Sequence, residues 1–345
     1  MEILGIDIGF GFTKATNGEN SLIFKSVLGD ATDIQFSDSA LADSGEEEHL
    51  QVEIDGNSYF VGELAERQSS ERYFTLDQTQ FVDRFIKNLA LTAAARLVKS
   101  HIPINLVTGL PIGYYREHKE ELAKILVGEH KVVITSANGD SEEKTININR
   151  ARIIPQPWGS LFNLMLNDVG EMKDKRLVKE KIGVIDVGFR TSDYSISDKM
   201  RYSERGSRTT ESGIARAFNV IATKLREKSG VNVELYRLYD AVDEGYIKIR
   251  GEKFDLKSLT KQVFSQLATS VANEVDRLWV DDWDIDTVIV SGGGGSVLAE
   301  YLQPLLKGNV TPVDKSSDAR MNNVTGYWKF GKHVWAKGVM PSLKD

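Results

Sequence analysis

The chain has 345 residues, more than one core usually sustains, so two domains are expected. Its 43 basic and 50 acidic residues leave a net charge of −7, without the basic stripe of a direct nucleic-acid binder, although DNA remains reachable through a partner. Cysteine is absent, which excludes disulfides and thiolate-bound zinc, and no apolar run approaches the roughly 18 residues of a membrane span. The opening Met1-Glu2-Ile3-Leu4-Gly5 carries no basic leader and leads directly into structure, so a cytoplasmic protein is expected.

The first element is Leu4-Gly5-Ile6-Asp7-Ile8-Gly9-Phe10-Gly11-Phe12-Thr13-Lys14, a strand that bears one carboxylate, turns through glycines and leaves as a second strand. Such a turn serves as a phosphate cradle, because glycine lets backbone N–H groups approach an anion, or as a plain hairpin. Ser21–Val27 continues the strand pattern. From Gly29 to about residue 75 the character changes. Short strands at Gln51–Ile54 and Ser58–Val61 flank the turn Asp55-Gly56-Asn57, and Glu46-Glu47-Glu48 reads as a solvated loop, together suggesting a small inserted subdomain.

Apolar residues recurring every four positions, Phe81, Phe85, Leu89, Ala93 and Leu97, predict a helix from about Gln80 to Lys99. Ile102–Thr108 reads as a buried strand and Arg116–Val127 as a helix stopped by Gly128. Strands at Lys131–Ser136 and Thr145–Asn149 follow, and Gln156-Pro157-Trp158-Gly159 then opens a helix over Ser160–Leu166. The charged stretch Glu171–Lys181 reads as the linker.

Beyond it the opening hairpin returns. Ile185-Asp186-Val187-Gly188-Phe189-Arg190-Thr191-Ser192-Asp193 repeats it 179 positions on, with Asp7 falling on Asp186, Gly9 on Gly188, Phe10 on Phe189 and Thr13 on Ser192. Self-similarity on this scale predicts two halves on one plan, and it favours the cradle over the plain hairpin. Two acidic, glycine-bearing hairpins facing one another would hold a polyphosphate and its metal.

Helices are expected at Ser212–Lys228, over Asn232–Tyr246 and at Leu259–Trp279, with a short hairpin around Arg250-Gly251. Thr287–Val290 is a buried strand that runs into Gly292-Gly293-Gly294-Gly295 and out into a helix over Ser296–Leu306, the pattern of a ligand-facing turn. Ala319–Gly331, holding Asn322, Asn323 and Gly326, closes the folded part. There is no G-x-x-x-x-G-K-[ST], both Asp hairpins exit into strands where a Rossmann turn would open a helix, and the kinase H-R-D and D-F-G signatures are missing.

Taken together, the two Asp/Gly hairpins, Gln156, the run Ser291–Gly295 and Asn323-Val324-Thr325-Gly326 resemble, in order and spacing, the motifs of the actin-like ATPase superfamily, shared by actin, heat-shock chaperone ATPases and sugar kinases. The phrasing D-I-G-F-G-F-T-K and the compact length are most similar to the prokaryotic actin-like proteins of the ParM/StbA type. The resemblance implies an α/β fold of two duplicated ribonuclease-H-like domains with a nucleotide cleft between them, the first over 1–170 with 320–345 and the second over 171–319. It implies ATP or ADP with Mg²⁺. Gly9, Phe10, Gly11, Phe12, Thr13 and Lys14, with Gly188, Phe189, Arg190, Thr191 and Ser192, would hold the phosphates, Thr13 and Ser192 donating through their hydroxyls. Asp7 and Asp186 would organise Mg²⁺ through its waters. Gln156 would orient the attacking water, and Gly292–Gly295 would pass under the adenosine. Arg190 departs from the family pattern and is left between a phosphate and a neighbouring carboxylate. Self-association into ATP-gated filaments is implied, with an adaptor to cargo such as plasmid DNA and no membrane. A sugar-type kinase, whose base would have to be Asp193, and a non-polymerising ATPase switch are the alternatives.

Overall fold

The computed structural model describes residues 2–31, 50–70, 72–73, 85–311 and 318–336; Glu46–Glu48 and the helical turn expected from Gln80 lie outside them. The chain divides into two compact units, Met1–Lys173 with Met321–Asp345, and Asp174–Arg320.

The first unit opens as an antiparallel meander of β1 (Glu2–Ile8), β2 (Phe12–Thr16) and β3 (Ser21–Lys25). It continues through β4 (Leu28–Asp30), β5 (Leu50–Ile54), β6 (Asn57–Val61), α1 (Glu63–Gln68), β7 (Arg72–Tyr73) and α2 (Lys87–Leu97). Next come β8 (Pro103–Leu110), α3 (Ile112–Leu126), β9 (Gly128–Thr135), β10 (Ser141–Pro155) and α4 (Trp158–Met165). Strand β8 lies parallel to β1, and β10 parallel to β8. One sheet runs β3-β2-β1-β8-β10-β9-β5-β6-β4-β7. The described strands of the segment expected as a small inserted subdomain, β4 to β7, extend one end of this sheet. Its strand β5 takes the edge of β9, satisfying main-chain groups that an open edge would leave exposed.

The second unit repeats the plan with β11 (Lys181–Val187), β12 (Ser192–Asp198) and β13 (Arg201–Thr210). After α5 (Ala215–Ser229), α6 (Leu238–Glu244), the hairpin β14 (Tyr246–Ile249) with β15 (Glu252–Asp255), and α7 (Lys257–Leu278), the chain adds β16 (Thr287–Ser291), α8 (Gly293–Leu302) and β17 (Asn309–Thr311). The order β13-β12-β11-β16-β17 matches β3-β2-β1-β8-β10 strand for strand and direction for direction. Register matches as well. Asp7 pairs with Lys14 and Ile8 with Thr13, while Asp186 pairs with Asp193 and Val187 with Ser192. The sequence repeat is thus a repeat of fold, the duplicated α/β plan expected.

Helix α9 (Asn322–Ala336) returns to the first unit. Alternation along β1 decides what it meets: Leu4 and Ile6 enter the core shared with α2 and α3, whereas the Gly5 between them lies beneath Val324 and Trp328 of α9. Helix α9 also packs on α4, and there two glycines permit main-chain contact, since a Cβ on Gly326 would fall 1.7 Å from the Gly159 carbonyl oxygen.

Two expected helices differ. Over Asn232–Tyr246 only Leu238–Glu244 is α-helical, because Gly230 in a left-handed conformation (φ 72°) ends α5 and the β-branched Val231 and Val233 favour extended chain. The helix expected from Ser296 starts three residues earlier, so Gly293–Gly295 form its first turn.

Candidate functional site

In the first unit the hairpin between β1 and β2 closes with the Gly9 N–H donating to the Phe12 carbonyl (3.0 Å). The side chain of Phe10 packs against the core and anchors the turn. Antiparallel pairing puts directly opposite residues on the same face. Asp7 and Lys14 therefore stand side by side, and Lys14 Nζ lies 2.9 Å from Asp7 Oδ2. Gln156 Nε2 donates to the other oxygen, Oδ1, at 2.6 Å. Asp7 is 2% exposed, so both oxygens of a buried carboxylate are held by donors, the condition for keeping such a charge out of water.

Gln156 is fixed from several sides. It follows β10, its N–H donates to the Leu110 carbonyl (2.8 Å), and its carbonyl accepts from Tyr327 Oη (3.1 Å) and from the Gly159 N–H (3.2 Å). A Cβ on Gly109 would meet the Tyr327 hydroxyl at 2.1 Å, so glycine is needed there for the tyrosine to reach Gln156.

The other face of the hairpin gives a correction. Thr13 shares the core side with Ile8; it is fully buried, and its Oγ1 lies 2.9 Å from Ser26 Oγ. Ser192, its counterpart, is equally buried and donates to the Ser212 carbonyl (2.9 Å). Neither hydroxyl is aimed at a phosphate, and any contact from these residues comes through the backbone. Thr13→Val is accordingly expected to cost about 1–3 kcal/mol in urea unfolding, by orphaning Ser26, while leaving nucleotide affinity within about twofold of the parent.

In the second unit the corresponding hairpin closes in the same manner, the Gly188 N–H donating to the Thr191 carbonyl (2.9 Å). The start of α5 braces it, with the N–H groups of Gly213, Ile214 and Ala215 donating to the carbonyls of Arg190, Gly188 and Phe189. Phe189 stacks on Tyr239 at 5.9 Å between ring centroids. Burial holds the Tyr239 hydroxyl protonated well above the usual tyrosine range, opposed in part by Arg320. Arg190 reaches a neighbouring carboxylate: its Nη2 lies 2.9 Å from Glu211 Oε1.

Asp186, 6% exposed, faces Asp193 where the first unit has Asp7 facing Lys14. Asp193 accepts from Thr209 Oγ1 (2.5 Å) and Thr191 Oγ1 (3.4 Å). The sequence analysis touched this residue only as a kinase base. Carrying the 179-residue offset one position past Ser192 sets it against Lys14.

The glycine run joins the same place. Gly292 has φ 86°, a left-handed conformation natural to glycine, and a Cβ there would lie 2.3 Å from Asp186 Oδ1. By contrast, the hairpin residues Gly9, Gly11 and Gly188 do not adopt positive φ; a Cβ would stand 3.2 Å from the Phe12 carbonyl oxygen at Gly9 and 3.3 Å from the Thr191 carbonyl oxygen at Gly188. Gly294 and Gly295 are buried against Val187 and Val290, leaving Gly292 and Gly293 as the more open members; the stem of Arg320 lies over Gly293. Arg320 is itself held by Asp318, which keeps its guanidinium firmly protonated. The structure thus groups Asp7, Lys14 and Gln156 in one unit, and Asp186, Gly188, Asp193 and Gly292 in the other.

The donor set suits a hydrated Mg²⁺. No group of three or more metal-ligating side chains occurs among the described residues, but Asp7 in one unit and Asp186 in the other each offer hard-oxygen donors, and glycine at 292 lets the main chain pack against the Asp186 carboxylate. Carboxylates acting through water are what an ion that dehydrates reluctantly accepts.

Comparisons with known proteins bear on the family and the fold. The family described as actin-like proteins, N-terminal domain, matches residues 5–159, and the C-terminal family of archaeal MreB-like actin homologues matches residues 184–304. No curated protein sequence matches the chain. Among solved structures, a 15-stranded ParM filament from Clostridium botulinum is similar at 26% identity, with 96% of this chain and 99% of that one covered and a TM-score of 0.78. An archaeal actin homologue in complex with ADP is similar in fold at 18% identity, covering 96% and 99%, with a TM-score of 0.76. Bacillus thuringiensis ParM with AMPPNP covers 98% and 99% at 19% identity and a TM-score of 0.72. With both halves matched by actin-like families, and ParM and archaeal actin structures matched along nearly their whole length, the chain belongs to the actin-like protein superfamily.

Proposed function

We propose that this protein is a cytoplasmic ATPase that binds ATP with Mg²⁺ and assembles into filaments according to the nucleotide it holds. The observation that carries the reading is the pair of Asp-bearing hairpins, held in one register at the same place in two copies of one sheet. Each hairpin presents main-chain N–H groups and glycine-opened space to a phosphate. Lys14 adds a positive charge beside the first. Asp7 and Asp186, one from each unit, would hold the hydrated Mg²⁺, which would supply charge neutralisation to the phosphates. Gln156 orients the attacking water, since an amide is too weak a base to deprotonate it. Gly292 and Gly293, with the stem of Arg320 beside Gly293, would pass under the adenosine.

Gln156→Ala separates positioning from binding. Phosphate release is expected to fall by about a hundredfold, with nucleotide affinity little changed, because Leu110, Gly159 and Tyr327 hold the Gln156 main chain and not its amide. Unchanged turnover would remove Gln156 from the mechanism. The assembly half of the reading is tested by sedimentation with ATP, with ADP and without nucleotide; pelleting that does not depend on nucleotide would overturn it.

The same reading includes an adaptor protein for cargo such as plasmid DNA, since the net charge of −7 provides no basic face for DNA itself. No helix among the described residues is long and apolar enough to cross a membrane. One observation favours a second reading, a sugar-type kinase: Asp193 places a carboxylate beside Asp186 where a substrate base would be needed. ATP use stimulated by a sugar, in protein that stays soluble, would select it.

A further inference from the structure

The filament reading requires contacts between copies, and the loop after α7 has the properties of one. Trp283 is 88% exposed and Val280, three residues before it, is 69% exposed. Tryptophan is the side chain most enriched among the anchors of protein interfaces. The loop that presents it is rigid. Trp279 is buried and its indole N–H donates to the Gly206 carbonyl (2.9 Å). Asp282, also buried, receives Lys181 Nζ at 2.8 Å and Arg205 Nη2 at 2.7 Å, and its N–H donates to the Trp279 carbonyl (2.9 Å). Asp286 and Lys181 then close the base through two further bonds of 2.9 Å. An aromatic side chain on such a base loses little freedom when it docks.

A complementary hollow exists in the other unit. A cavity of about 600 Å³ opens between the β2–β3 turn, the end of α2 and α9, with Leu97, Ile102 and Trp335 on its apolar wall. Ile102 is one of the large hydrophobic residues left exposed. Its volume accommodates an indole with a valine beside it. Both rims carry both signs of charge: Lys99, Lys332, Glu2 and Glu19 at the cavity, and Asp281, Asp284 and Arg205 at the loop. Each cation of one rim can therefore meet an anion of the other.

We propose that the Val280–Asp284 loop of one copy seats Trp283 in the Leu97–Ile102–Trp335 cavity of a second copy, a contact that rests on the filament reading and gives it a place. Loop and cavity are different surfaces, so the contact is heterologous. A pair joined this way still has one unused loop and one unused cavity, and growth continues.

The absence of cysteine makes the test clean, because any introduced thiol is the only one in its chain. Asp281→Cys protein is mixed with Lys99→Cys protein and oxidised, both with nucleotide and Mg²⁺ and at high concentration without them; Asp281→Cys with Val220→Cys, on exposed α5, is the control. Cross-linking well above the control is expected for the first mixture alone. Trp283→Ser is expected to raise the concentration needed for sedimentation by at least about tenfold, with nucleotide affinity and thermal unfolding unchanged. A Trp283→Ser protein that sediments like the parent overturns the contact and leaves the filament reading intact. Impaired sedimentation without specific cross-linking overturns the cavity as its partner. A parent that binds nucleotide, never sediments and gives no cross-link overturns both.

Discussion

Asp186→Ala is expected to reduce ATP turnover by about two to three orders of magnitude, the loss that follows removal of one preorganised charge from a phosphoryl-transfer site. Asp186 is the carboxylate of the second hairpin, nearly buried, with Asp193 opposite and the Gly292 main chain against its Oδ1. Removing it takes away a hard-oxygen donor for hydrated Mg²⁺ and leaves the hairpin framework, which hangs on main-chain bonds from Gly188 and from the start of α5. The variant is therefore expected to unfold at nearly the parental temperature, and its residual nucleotide binding is expected to lose most of its Mg²⁺ dependence. Phosphate release measured over a Mg²⁺ titration decides the matter; parental turnover would show that the metal and water assignments are wrong.

The second large effect is structural. Gly326→Ala introduces a methyl group 1.7 Å from the Gly159 carbonyl oxygen and 2.9 Å from the Asn163 nitrogen, both main-chain atoms that no side-chain rotation can clear. Helices α4 and α9 must then separate. That disturbs the bonds from Ser160 to Asn323 and from Asn163 to Asn322, and the Tyr327 hydroxyl that steadies Gln156. A loss of about 3 kcal/mol or more is expected in denaturant unfolding, at the upper end for overpacking. Gly230→Ala serves as the contrast: it meets nothing within 4 Å but has φ 72°, so a cost of only about 1 kcal/mol is expected. Equal costs at the two positions would mean that the helix contact yields more readily than its geometry indicates.

The hairpins were legible because their signal is local. A carboxylate, two glycines and a fixed offset fall within one short strand-turn-strand, and the offset of 179 shows the duplication without knowledge of either sheet. What escaped depends on register. That Lys14 pairs with Asp7, and that Thr13 and Ser192 turn inward, follows from strand alternation only once the residues facing one another across the turn are known. The pairing of β5 with β9 joins segments about 80 residues apart and leaves no local trace, so the attachment of the region from Gly29 to this sheet was not legible. At Gly292–Gly295 the glycines read as a loop because of their low helix propensity, whereas packing of the first turn of α8 against Val187 overrides that preference.

The identical registers of the two hairpins have an electrostatic consequence. In the first, the acid is balanced by an ammonium across the ladder; in the second, the acid faces another acid. In the proposed site an anion at the first hairpin would meet a balanced pair, whereas one at the second would depend more heavily on the accompanying dication. Two copies of one scaffold are thereby made inequivalent at positions 14 and 193, a difference to which Gln156 beside Asp7 and Gly292 beside Asp186 add.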